Sequence, residues 1–392
     1  MKLKIRLAAY GITLNVLALG FVSFFTDVST EMMLAALPAF FLALGITPTV
    51  IGFIEGLAET STSLIRVVSG ELSDRVRRYK ALTFAGYLLS SVVKPLLAFA
   101  SLWFHVLAIR VADRVGKGIR TPPRDAIISF SASGERMGRA FGIHRTLDQL
   151  GGIVGPIIAA VLLPFIGFYN LFLLTAIPGA LALFVLYKWV TEPRIPQLYK
   201  RTSHLKEAWN SPGVRLYLAS VVFYSFSAFS YVFFIYRLHD ATKLSIIFAP
   251  AIYTIIQVAH TASAFPAGEF SDRYGRIPSV AVGYLLAALS YILAVVTDLL
   301  PVLLVAAVLY GAHKGFLETT QRAVIPDLVS KEHRGAAYGL YNTAVGVAAL
   351  PSNLLAGFLY TIYGSWAPLT LGTASLLAAM TPLIRVQKKL SP

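Results

Sequence analysis

Gly70-Glu71-Leu72-Ser73-Asp74-Arg75 returns, with one residue changed, as Gly268-Glu269-Phe270-Ser271-Asp272-Arg273. The copies stand 198 positions apart, and three later pairs fall at 197: Gly86-Tyr87-Leu88-Leu89 with Gly283-Tyr284-Leu285-Leu286, Lys117-Gly118 with Lys314-Gly315, and Phe141-Gly142 with Tyr338-Gly339. Chance does not hold four matches in one register. The chain is a tandem duplication whose unit is about half its length, and direct repeats of that size in an apolar chain are the trace of two helical bundles joined in parallel.

The 392 residues are 56% hydrophobic and 14% charged, with a mean hydropathy of +0.69, too apolar for a soluble protein of this size. The formal charge of +15 would suggest a nucleic-acid partner in a soluble chain; in a membrane chain it is first weighed against the retention of Lys and Arg on the cytoplasmic side. With no cysteine there is neither a disulfide framework nor a thiolate metal site. The opening Met1-Lys2-Leu3-Lys4-Ile5-Arg6 imitates a signal peptide, but the apolar run continues through Asp27 and Glu31 to about Leu44, so it is read as an uncleaved first span.

A helix needs about 20 residues to cross the hydrocarbon. Windows of that length give twelve spans, near 10–43, 48–72, 80–102, 104–127, 138–164, 168–189, 214–237, 245–270, 278–298, 301–325, 335–362 and 366–386. The fold class is therefore an all-α membrane protein, with a first six-helix bundle over 1–189, a linker over 190–213 and a second bundle over 214–392. Pro193, Pro196 and Pro212 among charges mark the linker, whose plainest reading is a passive tether.

Alternate connections are basic: Lys2, Lys4 and Arg6; Arg75, Arg77, Arg78 and Lys80; Arg136 and Arg139; Lys200, Arg201 and Lys206; Arg273 and Arg276; Lys331 and Arg334; Lys388 and Lys389. The opposite turns, around Thr47, Trp103, Gly167 and Gly364, carry no acid or lysine, and only the one near Arg237 to Lys243 is polar. This asymmetry places both termini in the cytoplasm of a multi-pass plasma-membrane protein. It also accounts for the charge without nucleic acid, since no basic, aromatic-interleaved soluble domain is left to bind it.

The segment Gly70 to Arg78, between the second and third spans, resembles the signature loop of the major facilitator superfamily. Its second copy, Gly268 to Arg276, fits better because it has Gly275 where the first has Arg77. Gly142, Gly151, Gly155-Pro156 and Ala159-Ala160 in the fifth span resemble the antiporter motif of proton-coupled exporters in that superfamily, with alanines replacing the final glycines. The runs Thr26 to Met32 and Asp113 to Asp125 resemble a group of prokaryotic permeases of that kind whose substrates are largely unassigned. The resemblance implies two bundles related by a pseudo-twofold axis, alternating access, a small-molecule or ion substrate, protons as coupling partners, a monomer and no cofactor.

The motifs carry physical meaning of their own. Asp74 and Asp272 sit at span ends, where an acid can accept hydrogen bonds from a neighbouring helix's first amides and oppose its positive dipole end. Arg75, Arg78, Arg273 and Arg276 can form bidentate pairs with carboxylates, Asp125 or Glu135 being the partners considered. With Gly70 and Gly268 these residues make a gate on the cytoplasmic side; the competing reading makes them ordinary positive-inside anchors. The fifth-span glycines bare one helix face for close approach, and Pro156 frees a carbonyl, which is also what a packing motif without bearing on direction would do.

Ionisable groups within spans are functional candidates because they cost several kcal/mol unless paired or wetted. Asp27 and Glu31 share a face of the first span, Glu55 and Glu59 a face of the second. Two carboxylates brought together in a dry cavity resist ionising together, and one poised that way can carry a proton. Arg110, Asp113, Arg114, Lys117, Arg120 or Thr121, and Arg124 form one helical stripe, whose positive excess needs Asp27, Glu31, Glu59 or Asp148 from neighbours. His144, Arg145 and Asp148 add to it, and the second half contributes Lys314, Glu318 and Arg322 beside His313, with His260 and Gln257 as lone polar groups. Lys94 is read as lifted toward the outer surface by its long stem. The competing reading of the whole network is structural: ion pairs that pin helices together. Acids concentrate in the first half, and aromatics from Tyr224 to Tyr236 in the second suit apolar substrate contact.

No Walker loop, nucleophile elbow or His-Glu-x-x-His helix is present, so the chain does not read as an enzyme and its energy should come from an ion gradient. Three readings stand. One is a proton-coupled antiporter exporting a small amphipathic or cationic compound, or a divalent metal ion, through Asp27 and Glu31. Another is an importer of an anionic solute held by the Arg110 to Lys117 stripe. The last is a scaffold or receptor that transports nothing.

Overall fold

The computed structural model describes residues 13–132, 137–193 and 205–390. Lys2, Lys4, Arg6, Glu135, Arg136, Lys200 and Arg201 lie outside the described residues, as does 194–204 of the linker. Every regular element among the described residues is helical. In chain order the longer ones are α1 (Leu14–Ala43), α2 (Pro48–Val76), α3 (Tyr79–Val93, running on as a tight turn Lys94–Phe99) and α4 (Trp103–Phe130). The stretch Met137–Leu174 is broken at Gly167 (φ 69°, ψ 176°) into α5 (137–166) and the start of α6 (168–174, continuing as Ala176–Trp189). Then come α7 in two pieces (Pro212–Ser225 and Tyr231–Thr242), α8 (Ala249–Tyr274), α9 (Arg276–Val296), α10 (Leu300–Thr320), α11 (Arg334–Tyr363) and α12 (Ala367–Leu390).

Eight described helical stretches are long and apolar enough to cross a membrane, and one of them, Met137–Trp189, holds two spans. The charged α2 and α4 and the broken α7 complete the twelve. Contacts divide the chain into two compact units: residues 1–40 with 61–200, and 41–60 with 201–392.

In the first unit the helices approach closely where side chains are missing. At the α3–α4 crossing a Cβ added to Gly86 would stand 2.6 Å from the Gly116 carbonyl oxygen, and one on Gly116 2.7 Å from that of Gly86. Against α1, a Cβ on Gly151 would stand 2.4 Å from the Phe24 oxygen and one on Gly155 2.6 Å from that of Val28. Such crossings give dense packing where lipid supplies no hydrophobic drive between helices. The outer face of the unit is meanwhile left apolar, with Phe165 and Val161 exposed.

The duplication is legible in the packing of each unit taken by itself. A Cβ on Gly118 would meet Ile65 and the Thr62 oxygen, and one on Gly315 would meet Ser263 and the His260 oxygen. Thr62 with His260, and Ile65 with Ser263, stand at the same 198-residue offset as the repeated signature. The repeat thus reproduces a helix crossing, not only a string of letters.

In the second unit, the first part of α2 lies against α11: Thr49 donates to the Gly357 carbonyl at 3.4 Å and Thr60 to that of Gly346 at 2.8 Å, while Gly52 abuts the Asn353 carbonyl.

The expected seventh span, 214–237, is interrupted. Ser225 and Ser227 turn their hydroxyls onto the carbonyls of Val221 and Tyr224, and Ser230 caps the piece that follows. The backbone groups this frees are satisfied locally: Asn353 Oδ1 accepts from the Ser230 amide at 2.7 Å, and the Ser225 and Ser227 carbonyls accept from Ser352 and Tyr291. Non-helical backbone survives at membrane depth only with such partners.

Candidate functional site

Four helices of the first unit bring the ionisable groups together. α1 carries Asp27 and Glu31, the turn after α3 carries Lys94, α4 carries Arg110, Asp113, Arg114 and Lys117, and α5 carries His144 and Asp148. The α1–α5 crossing at Gly151 and Gly155 sets Asp27 beside Asp148, the two carboxyls lying within interacting distance. Two acids set side by side resist ionising together. Asp148 also accepts from Ser23 at 2.5 Å and pairs with Arg145 at 2.9 Å, while Lys117 and Glu31 lie within electrostatic reach of Asp27.

The second acidic centre is buried. Asp113 accepts from Ser90 at 2.5 Å and faces Arg110 at 3.7 Å, both being shielded from solvent. Lys94 corrects the expectation of a side chain lifted to the surface. It is fully buried and donates to Thr30 Oγ1 at 3.0 Å, with Asp113, Arg120, Asp27 and Glu31 as the charges around it. The reason is local: Pro95 cannot continue the α3 ladder, and the tight turn that results directs the stem inward. The signal was present in the sequence, because Thr83, Tyr87, Ser90, Ser91 and Lys94 repeat at helical spacing down one face of α3.

Glu55 and Glu59 lie on the 41–60 stretch that groups with the second unit, Glu55 buried and Glu59 exposed. In that unit His260 is not the lone group expected from the sequence, for its Nε2 lies 2.8 Å from Glu318. Lys314, one turn before Glu318, lies 4.8 Å from the Tyr310 ring centroid and 5.9 Å from that of Tyr231. Phe233 and Phe234, part of the aromatic run thought to suit a solute, are instead fully buried, Phe234 being stacked on Tyr310 at 4.7 Å. Arg237, expected in a polar turn, is buried and closes the end of α9 by donating to Ala294 O at 2.6 Å and to Asp298 at 2.7 Å.

Within each unit the repeated loops have partners of their own. The acid that takes the first amides of α3 is Glu192, from Tyr79 at 2.6 Å and Lys80 at 3.0 Å; Asp74 accepts the Tyr79 hydroxyl at 3.2 Å. Arg75 pairs with Glu71 on its own helix, Asp125 is held by Arg124, and Arg276 reaches Asp327 at 2.6 Å and the Ala323 carbonyl. Asp272 and Arg273 are exposed, as is Arg78. Gly70 and Gly268 each meet only ordinary contacts. Arg77 takes a positive φ of 56° where the second copy has Gly275 at 97°, so both loops turn through the left-handed half of backbone space and the first does so without glycine.

The model of the Major Facilitator Superfamily matches residues 19–259 and 238–391. An uncharacterized MFS-type transporter of Methanocaldococcus jannaschii is 33% identical over 355 residues, covering 89% of each chain. An uncharacterized protein of Mycobacterium tuberculosis is 32% identical over 356 residues, 88% of this chain and 86% of its own. Among solved structures, a mutant of the nucleoside transporter NupG superposes with a TM-score of 0.81 at 14% identity, over 96% of this chain and all 100% of that one. A POT family transporter in complex with 5-aminolevulinic acid superposes with a TM-score of 0.80 at 17% identity, over 96% of both. At those identities the superpositions speak for the fold alone.

Proposed function

The chain belongs to the Major Facilitator Superfamily and is a multi-pass membrane transporter of a small molecule, not an enzyme, and from that premise we propose that it works by proton-coupled antiport and exports a small amphipathic or cationic solute. The observation that carries this reading is the side-by-side placement of the Asp27 and Asp148 carboxyls at the α1–α5 crossing. One proton occupies the pair; when it leaves, two adjacent carboxylates remain, and a cationic solute or the Lys117 ammonium can compensate them. Proton and solute then compete for one charge, which is the requirement for exchange. The close α1–α5 crossing at Gly151 and Gly155 supports the same reading, since it fixes the separation of the two acids on a backbone contact.

The names of the NupG and POT structures point to small organic molecules, which favours an organic solute over a metal ion. We place the protein in the plasma membrane, with both termini and the loops containing Asp74 and Asp272 on the cytoplasmic side, where Gly70, Asp74, Arg75, Arg78 and Asp125, with Gly268, Asp272, Arg273 and Arg276, form the gate. Import of an anionic solute is the second reading. It is favoured by Lys94, Arg110, Arg114 and Lys117 lying together in the first unit.

The test uses the purified protein in liposomes containing a pH-sensitive dye, challenged with organic cations, organic anions and divalent metals. Export coupling requires an organic cation to release protons through the wild type and Asp27→Asn to abolish the response while thermal unfolding stays unchanged. Undiminished proton release by Asp27→Asn removes the acid pair from the mechanism. A response to anions alone transfers the assignment to the second reading.

A further inference from the structure

Where α3 crosses α4 in the first unit, three buried polar groups have no hydrogen-bond partner: Thr83 Oγ1, Tyr87 Oη and Arg120 Nη1. Thr83 and Tyr87 lie one turn apart on α3 and are wholly buried; Arg120, only 4% exposed, sets its guanidinium carbon 4.5 Å from the Tyr87 ring centroid. All three can donate a hydrogen bond. The neighbouring acids are already engaged, Asp113 by Ser90 and Arg110 and Asp125 by Arg124. Lys94 and Arg124 add positive charge nearby, and among the described residues no carboxylate pairs with Arg120. A buried guanidinium left without a counter-charge costs several kcal/mol, of which stacking on an aromatic ring recovers only a part.

We propose that Arg120, Tyr87 and Thr83 hold a small monatomic anion, a halide, within the helix packing of the first unit. A halide accepts from several donors at once and brings the missing negative charge, which water does not. The ion is part of the scaffold and separate from the transported solute. Its role is to let a cation-rich α4 pack against α3 near Asp113 without self-repulsion.

The experiment is thermal unfolding of the purified full chain in sodium chloride or bromide against equal ionic strength of sodium gluconate. The expected result is a saturable rise in midpoint with either halide. Arg120→Gln should lose the rise, Tyr87→Phe should weaken the apparent affinity about tenfold, as for one hydrogen bond to a charged partner, and Arg139→Gln, on an exposed arginine of the same unit, should retain it. A midpoint indifferent to halide, or a rise that survives Arg120→Gln, overturns the site and leaves the three donors to water. Should Arg120→Gln fail to fold, anomalous diffraction from wild-type crystals grown in bromide decides. A bromide peak beside Arg120 supports the proposal and its absence overturns it.

Discussion

Lys94 shows how one side chain's position depends on its partners. A long stem near a span end can reach polar headgroups, yet Lys94 is turned inward and its hydrogen bond goes to a neutral hydroxyl. Burying an amine with so slight a partner makes that partner matter. We expect Thr30→Val, which keeps the volume and removes the acceptor, to destabilise by about 1–3 kcal/mol. Lys94→Met, which removes the charge and keeps the chain length, should be neutral or stabilising. Thermal unfolding of the two variants in one detergent checks the pair, and a Lys94→Met loss larger than that of Thr30→Val would mean that the charge itself holds the unit together. Glu192 makes the complementary point: the acid nearest the repeated motif in sequence was Asp74, but the one placed over the first amides of α3 comes from beyond α6.

At the scale of the element, the fifth-span motif separates into parts that pack and a part that does not. Gly151 and Gly155 press against the backbone of α1, whereas a Cβ on Gly142 would meet nothing within 4 Å. Gly155→Ala should therefore force α1 and α5 apart and destabilise by about 1–3 kcal/mol, while Gly142→Ala should stay within about 0.5 kcal/mol of wild type. Unfolding midpoints decide, and equal losses at the two positions would mean that the motif acts through something other than this crossing. Because Asp27 lies beside the Gly151 contact, Gly155→Ala should also lower proton-coupled flux through the wider separation of the acids. The broken α7 is the opposite case, a helix whose interruption is built from serines and closed by Asn353, Ser352 and Tyr291.

For the molecule as a whole, the distribution of Lys and Arg makes an orientation testable. The chain has no cysteine, so single cysteines report without a background. Thr47 and Ser330 are both exposed, in connections assigned to opposite sides of the membrane. A membrane-impermeant maleimide should label Thr47→Cys in intact cells and Ser330→Cys only after permeabilisation. The reverse pattern would invert the topology and, with it, the direction of transport proposed above.

Twelve helical spans, the duplication and the family were legible in the sequence because each rests on a property that survives without three-dimensional detail: apolar length, register, and a repeated string. The ionisable groups proposed as the site were visible too, since charge in a span has few uses besides pairing or chemistry, and Asp27, Asp113 and Asp148 stood out on that ground. Which acid meets which partner was not legible. The Asp27–Asp148 contact, the inward turn of Lys94, the His260–Glu318 pair and the unpartnered Arg120 each depend on how two helices cross, and a crossing is set by the packing of whole faces. Helical periodicity names a face but not its neighbour. For that reason the sequence alone established the kind of machine, and only the tertiary structure decided where its charges meet.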